Sequence, residues 1–208
     1  MKTIAILGSG NMGSALARHL LATGNKVIFG SRHPGQTADK VPGASAASFA
    51  DAVHTADVVF LAVPYGEVKT LAAQVGGLAG QIVVDLTNPL TPDYMGLTLG
   101  HTTSAGEQIQ ALFPQAKVVK GFNTIFAQLL AAGPNLALGQ KVPVFLASDD
   151  ATAKAAITEL AKAIGFAVVD AGPLKNARYL EPLAGLNIYL GYGAGLGTGI
   201  TPAWLGTK

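Results

Sequence analysis

The chain has no cysteine, which excludes a disulfide framework, a thiolate metal site and a thiol nucleophile. Charge is scarce as well: Asp, Glu, Lys and Arg make up 12% of the 208 residues, against a usual share of ~25%. The formal net charge is only +2 and no basic run is present, which argues against a nucleic-acid partner. A surface so poor in charge points to a covered face, most simply a homodimer. Residues 182 to 207 carry no charge at all. Yet Asn187, Pro202 and repeated glycines do not suit the ~20 apolar residues of a membrane-spanning helix. No histidine pair has ligand spacing, so no metal is expected. Met1-Lys2-Thr3 enters an apolar run directly, with no signal-peptide pattern. A cytoplasmic protein is the expectation.

Glycine, in contrast, is plentiful, with 26 residues, and one cluster is ordered. Gly8-Ser9-Gly10-Asn11-Met12-Gly13 follows the apolar run Ile4-Ala5-Ile6-Leu7 and precedes a helical pattern. Strand, glycine turn and helix in this spacing predict a dinucleotide site. Gly8 makes the turn, Gly10 lets the backbone approach a pyrophosphate, and Gly13 lets helix and strand pack. The helix N-terminus adds free N–H groups and a positive dipole end.

A second strand, Lys26 to Gly30, ends at Ser31-Arg32-His33. NAD-specific folds place an Asp or Glu there to bind the ribose 2′-hydroxyl. An Arg beside a hydroxyl suits a 2′-phosphate instead, so NADP is expected over NAD. A short edge strand is expected near Gly43-Ala44, then a helix over Ala46 to Ala56. Further strands are read at 57–64, 82–86, 117–122, 142–147 and 166–170, alternating with helices. This predicts an α/β fold with a doubly wound, mostly parallel sheet over residues 1–172 and a small C-terminal helical segment over 173–208, its helix read to about Leu196 ahead of a glycine-rich tail. Ligands in such sheets bind beyond the C-terminal strand ends. Ala62-Val63-Pro64, Asn88-Pro89 and Asn123-Thr124 sit at three such ends and are candidate cofactor contacts. Asn123 could equally cap the next helix. Tyr65 is a contact or a plain strand stop. His101, in the loop after Pro89, is a possible proton donor or a solvated side chain.

The segments GSGNMG, GSRHP, LAVPY, DLTNP, KGFNT and AGPLKNARYLEPL together resemble coenzyme F420-dependent NADP reductases over essentially the whole chain. They also look like the oxidoreductase domain of the six-transmembrane metalloreductases. The resemblance implies a Rossmann fold and a homodimer that passes a hydride between NADPH and F420 or a flavin. It implies that Gly8, Ser9, Gly10, Asn11, Met12 and Gly13 hold the pyrophosphate and that Ser31 and Arg32 hold the 2′-phosphate. Val63 and Pro64 would line the groove, with Asn123 and Thr124 near the nicotinamide. No side chain need act as a catalytic acid or base, because the rings carry the hydride. Two other readings remain open. One is a non-catalytic NADP(H) sensor, and the other an imine reductase of the pyrroline-5-carboxylate type.

Overall fold

A computed structural model of the protein describes residues 1–204. The last four positions of the expected helical segment and its glycine-rich tail, 205–208, lie outside the described residues. The frame is a six-stranded, all-parallel sheet in the order β3-β2-β1-β4-β5-β6. Its strands are β1 (Thr3–Leu7), β2 (Lys26–Gly30), β3 (Ser45–Ala47), β4 (Val58–Leu61), β5 (Ile82–Asp85) and β6 (Lys117–Lys120). The order reverses between β1 and β4, which opens a crevice at the C-terminal edge of the sheet.

The inner strands β1, β2, β4 and β5 are short, mostly apolar runs because both faces are buried. Alternate side chains feed two separate cores. Ile4, Ile6, Val58 and Phe60 pack beneath α1 (Asn11–Ala22), α6 (Ala127–Ala132) and α7 (Ala151–Ala163). Ala5, Leu7, Val59 and Leu61 pack beneath α3 (Phe49–His54), α4 (Val68–Val75) and α5 (Ala105–Leu112). The remaining helices are the short α2 (Pro34–Thr37) and the C-terminal α8 (Ala177–Ile188).

Three boundaries differ from expectation. The edge strand lies at Ser45–Ala47 rather than Gly43-Ala44, and the helix starts at Phe49 rather than Ala46. Pairing with β2 wins over the helix preference of the alanines, and Ser48 Oγ then caps α3 by accepting from Asp51 N at 3.2 Å. The last two strands, β7 (Pro143–Leu146) and β8 (Ala167–Asp170), form their own parallel pair. They meet the main sheet at one antiparallel bridge, where Lys120 and Ala147 exchange both backbone hydrogen bonds at 2.9 and 3.0 Å. The final helix does not run to about Leu196. It ends at Ile188 and widens into a π turn over Tyr189–Gly193, where Gly191 lies against the Phe126 ring. The chain then folds back, with Leu196 N on Leu190 O and Gly197 N on Gly191 O, both at 3.0 Å.

What fastens α8 to the sheet is ionic. Lys120 is fully buried at the end of β6, and its ammonium donates to Asp85 Oδ2 and Glu181 Oε1, both at 2.9 Å, and to Thr87 O. All three N–H bonds are thereby used. Glu181, on α8, also accepts from Ala105 N and Gly106 N at 2.8 and 3.0 Å, the first amides of α5. Asp85 Oδ1 accepts from Thr87 N at 2.8 Å. Burial alone would lower the Lys120 ammonium. The two carboxylates outweigh it and hold the group charged, above its ordinary value.

Lys120→Met should therefore leave two carboxylates facing each other in an apolar setting and cost about 3–5 kcal/mol. Urea denaturation checks this, and a loss below ~1 kcal/mol would contradict the assignment of a fully desolvated ion cluster.

Candidate functional site

The glycine turn connects β1 to α1 at the centre of the crevice. Gly8 has φ +114°, and a Cβ there would lie 2.5 Å from Ala62 O. A Cβ on Gly13 would overlap Gly8 O. These two positions are closed by the protein itself. Gly10 is different: it is the N-cap residue of α1, offers no side-chain cap, and has open space around its missing Cβ. The first amides of α1 thus face outward without a side-chain partner. Lys40 reaches across from the turn after α2, and its ammonium donates to Ser9 O and Ser9 Oγ at 3.2 and 3.1 Å. Ser9, Gly10, Asn11, Ser14, Arg18 and Lys40 line a cavity of about 570 Å³ that has no acidic residue in its described wall. Two cations and a helix N-terminus make it suited to anions.

At the end of β2, Ser31 N donates to Ala47 O at 3.0 Å, which fixes the residue beside the turn. Ser31 Oγ accepts from His33 N at 3.0 Å and is bonded to the buried Thr37 hydroxyl at 2.8 Å. Arg32 and His33 are exposed, and Arg32 makes no ion pair among the described residues. Its guanidinium is free to bind an anionic group next to a preset hydroxyl.

The largely apolar cavity lies on the other side of the turn. It measures about 420 Å³ and runs between Met12, Leu86, Asn88, the loop Asp93-Tyr94-Met95, Asn123 to Ala127, and α8 at Ala184, Asn187, Ile188 and Tyr192. Asn123 does not cap the next helix; Phe126 occupies that place. Its amide donates instead to Asn88 Oδ1 and to Leu180 O, both at 3.0 Å, while Asn88 Nδ2 donates to Asn123 O at 2.9 Å. A main-chain carbonyl partner forces the amide orientation. Both N–H bonds are spent, and Asn123 Oδ1 is left buried without a donor. Thr124 Oγ1 is likewise buried and unpartnered, while Asn187 Nδ2 holds the Thr124 carbonyl at 3.1 Å. Phe122 just before them has φ +61°, a conformation that costs a non-glycine residue about 1–2 kcal/mol. Its ring, packed edge-on to Phe60 and Phe166, holds it there. The strained turn aims Asn123 and Thr124 at the cavity.

The structure thus brings together the glycine turn, Asn88, Asn123 and Thr124, with Ala62 and Val63 against Gly8. Pro64 is exposed at the strand end. Pro89 is buried, and its carbonyl accepts from Thr98 N at 2.7 Å. His101 lies in a separate cleft with Lys175, Arg178 and Tyr179. Tyr65 lines a third cavity with Lys69, Gln108 and Leu112, outside both cavities described above. Burial first, then the charges of Glu181 and Asp85, raise its phenol above the ordinary value.

Comparison with known proteins fits this geometry. The family model described as "NADP oxidoreductase coenzyme F420-dependent" matches residues 3–89. The F420-dependent NADP reductase of Methanothermobacter thermautotrophicus is 30% identical over 211 residues, 91% of this chain and 89% of the relative. The chain belongs to the F420-dependent NADP oxidoreductase family. A structure from Arthrobacter sp. FB24, described as a candidate F420-dependent NADP reductase, matches with a TM-score of 0.87 at 33% identity. It covers 98% of this chain and 100% of that one. Metalloreductase STEAP3 of Rattus norvegicus is 37% identical over 181 residues, 86% of this chain. The chain spans only 36% of that relative, about a third of its length. No helix among the described residues is long and apolar enough to cross a membrane. No cluster of potential metal ligands occurs among them either.

Sequence reasoning missed Lys40, Thr37 and the Asp93 to Met95 loop. Lys40 sits 31 positions from Ser9, in a polar stretch with no periodicity, so only the fold joins them.

The three turn glycines should separate by stability. Gly8→Ala and Gly13→Ala are expected to lower the melting temperature by several degrees, since each costs upwards of ~2 kcal/mol in strain and overlap. Gly10→Ala should leave it within about 1–2 °C. Equal losses at all three would refute the division.

Proposed function

We propose that the protein is an NADPH-dependent oxidoreductase that passes a hydride between NADP(H) and a flavin or deazaflavin ring, acting as a homodimer in the cytoplasm. The observation that carries this is Asn123 Oδ1, a buried acceptor whose own N–H bonds are committed elsewhere. A ligand that donates a hydrogen bond completes it, and the carboxamide N–H of nicotinamide is such a donor. NADPH supplies the hydride when bound.

The chain's residues then divide the work. Gly8, Ser9, Gly10, Asn11 and Gly13 present the α1 amides to the pyrophosphate, with Lys40 beside them. Ser31 and Arg32, with His33 next to them, bind the 2′-phosphate. Ala62, Val63 and Pro64 border the adenosine side. Met12, Asn88, Asn123 and Thr124 orient the nicotinamide, while Leu86, Phe126 and Ile188 exclude water from the reacting face. No acid or base is needed at the hydride itself. The homodimer is supported by Tyr179, Leu186, Tyr189, Tyr192 and Leu196, all more than half exposed along α8 and the turn beyond it. The STEAP3 relative's full activity is not carried over, because two thirds of that protein has no counterpart here.

Titration should show NADPH binding at least tenfold more tightly than NADH, and Arg32→Ala should remove most of that margin, on the order of 1.5–3 kcal/mol for a charge-assisted bond. Equal affinity for the two nucleotides would sink the 2′-phosphate assignment. Gly10→Ala should weaken both nucleotides alike by tenfold or more, about 1.4 kcal/mol. Tight NADPH binding with no turnover on any flavin-type acceptor would favour a sensing role instead.

A further inference from the structure

Two consecutive residues in the wall of the apolar cavity each carry a buried polar atom with no hydrogen-bond partner. Asn123 is 6% exposed and Thr124 2%, and the atoms are Asn123 Oδ1 and Thr124 Oγ1. Such atoms are rare in folded proteins, because a buried polar group left unpaired loses its hydration and gains nothing in return. The other polar side chains nearby are engaged. Asp93 holds its own loop, accepting from the Thr91 hydroxyl at 2.5 Å and from Met95 N at 3.1 Å. The Asn88 amide is tied to Asn123, and the Tyr192 hydroxyl accepts from Gln128 Nε2 at 3.5 Å.

Both residues are held from α8. The Asn123 amide donates to Leu180 O at 3.0 Å. Asn187 stands about two turns further along the same helix, is 5% exposed, and donates from Nδ2 to Thr124 O at 3.1 Å. A threonine whose carbonyl is fixed and whose χ1 is stiff presents its hydroxyl in few directions. The two unpaired atoms differ in kind. An amide oxygen only accepts, whereas a hydroxyl can donate. A primary carboxamide carries the complement of both on one planar group, an N–H donor beside a carbonyl acceptor.

We propose that Asn187 is a positioning residue for the nicotinamide: it sets Thr124 so that the Thr124 hydroxyl donates to the carboxamide carbonyl while Asn123 Oδ1 accepts from the carboxamide N–H. This rests on the NADP(H) reading above and deepens it. A single bond would let the carboxamide turn about its link to the ring. Two bonds of opposite sense let it lie only one way round, which fixes the face of the ring that meets the acceptor. Both contacts are hydrogen bonds, and no chemical step is added.

The test separates binding from stability. Calorimetric titration of the full chain compares NADP⁺ with its 3-acetylpyridine analogue, which keeps the carbonyl and has a methyl in place of the amide nitrogen. Wild type should bind the analogue about tenfold more weakly, since Asn123 Oδ1 then stays unpaired. Thr124→Val should weaken both ligands by the same factor, about tenfold, because both keep the carbonyl. The same variant loses an unpaired buried hydroxyl, so without ligand it should melt no lower than wild type. Asn187→Leu, close in volume and without the N–H, should weaken NADP⁺ roughly fivefold in wild type but less than about twofold in Thr124→Val, because Asn187 acts through Thr124. Equal affinity of wild type for the two ligands, a Thr124→Val protein that melts lower and binds NADP⁺ as before, or fully additive losses in the double variant would each overturn the proposal. NADPH oxidation is followed in parallel with FMN and F420. The expected ligand pattern without turnover on either acceptor sinks the oxidoreductase reading and leaves the carboxamide hold standing. Turnover by a protein that binds the two ligands equally sinks the hold alone.

Discussion

One buried ammonium holds the two halves of the molecule together. Lys120 binds Asp85 at the end of its neighbouring strand and Glu181 on the C-terminal helix, and Glu181 in turn covers the first amides of α5. Four elements meet at this cluster. Ion clusters of this kind contribute little net stability over an apolar replacement, because desolvation offsets most of the attraction. What they do supply here is position. Leu180, the residue before Glu181, lends its carbonyl to Asn123. The register of α8 therefore determines which way the Asn123 amide points, and so what the cavity can recognise.

The site has two ends of opposite character, and the turn lies between them. On one side Arg18, Lys40, Ser31 and Arg32 surround the outward-facing amides of α1. On the other an apolar cavity holds two unpaired polar atoms and a single fixed carboxylate. NADP(H) carries its charges on the central pyrophosphate and the 2′-phosphate of its adenosine half, and ends in a flat nicotinamide ring. The match with the F420-dependent NADP oxidoreductase family is thus reflected in the polarity of the groove as well as in the order of the strands.

Much of this was legible in the sequence, for local reasons. The glycine spacing between an apolar run and a helix marks the turn wherever the rest of the chain goes. The inner strands of the main sheet read clearly because both faces are buried and their runs are mostly apolar. Ser31 and Arg32 could be placed at the end of β2 from the sequence, the strand end that such folds assign to the ribose. The failures are all matters of pairing. The apolar runs of β7 and β8 look like any other inner strands, and nothing local says that they join the sheet through a single bridge. Ala46 and Ala47 favour a helix until β2 offers them hydrogen bonds. Asn123 looked like a possible helix cap because the left-handed turn at Phe122, which delays the helix to Ala127, is set by the rings of Phe60 and Phe166 from distant segments. Lys40 and Glu181 find their partners only in three dimensions.

The reach of the Lys120 cluster also orders the assembly of the protein in time. A chain made from its N-terminus has the glycine turn, Ser31 and Arg32 in hand long before residue 181 leaves the ribosome. Until then Lys120 and Asp85 have each other but lack the second carboxylate, and Asn123 lacks the Leu180 carbonyl. The cavity by the glycine turn is complete once Ala127, Gln128 and Ala131 of α6 have been made, while the apolar cavity also waits for Ala184, Asn187, Ile188 and Tyr192. A nascent chain thus closes the polar cavity first and the apolar one last.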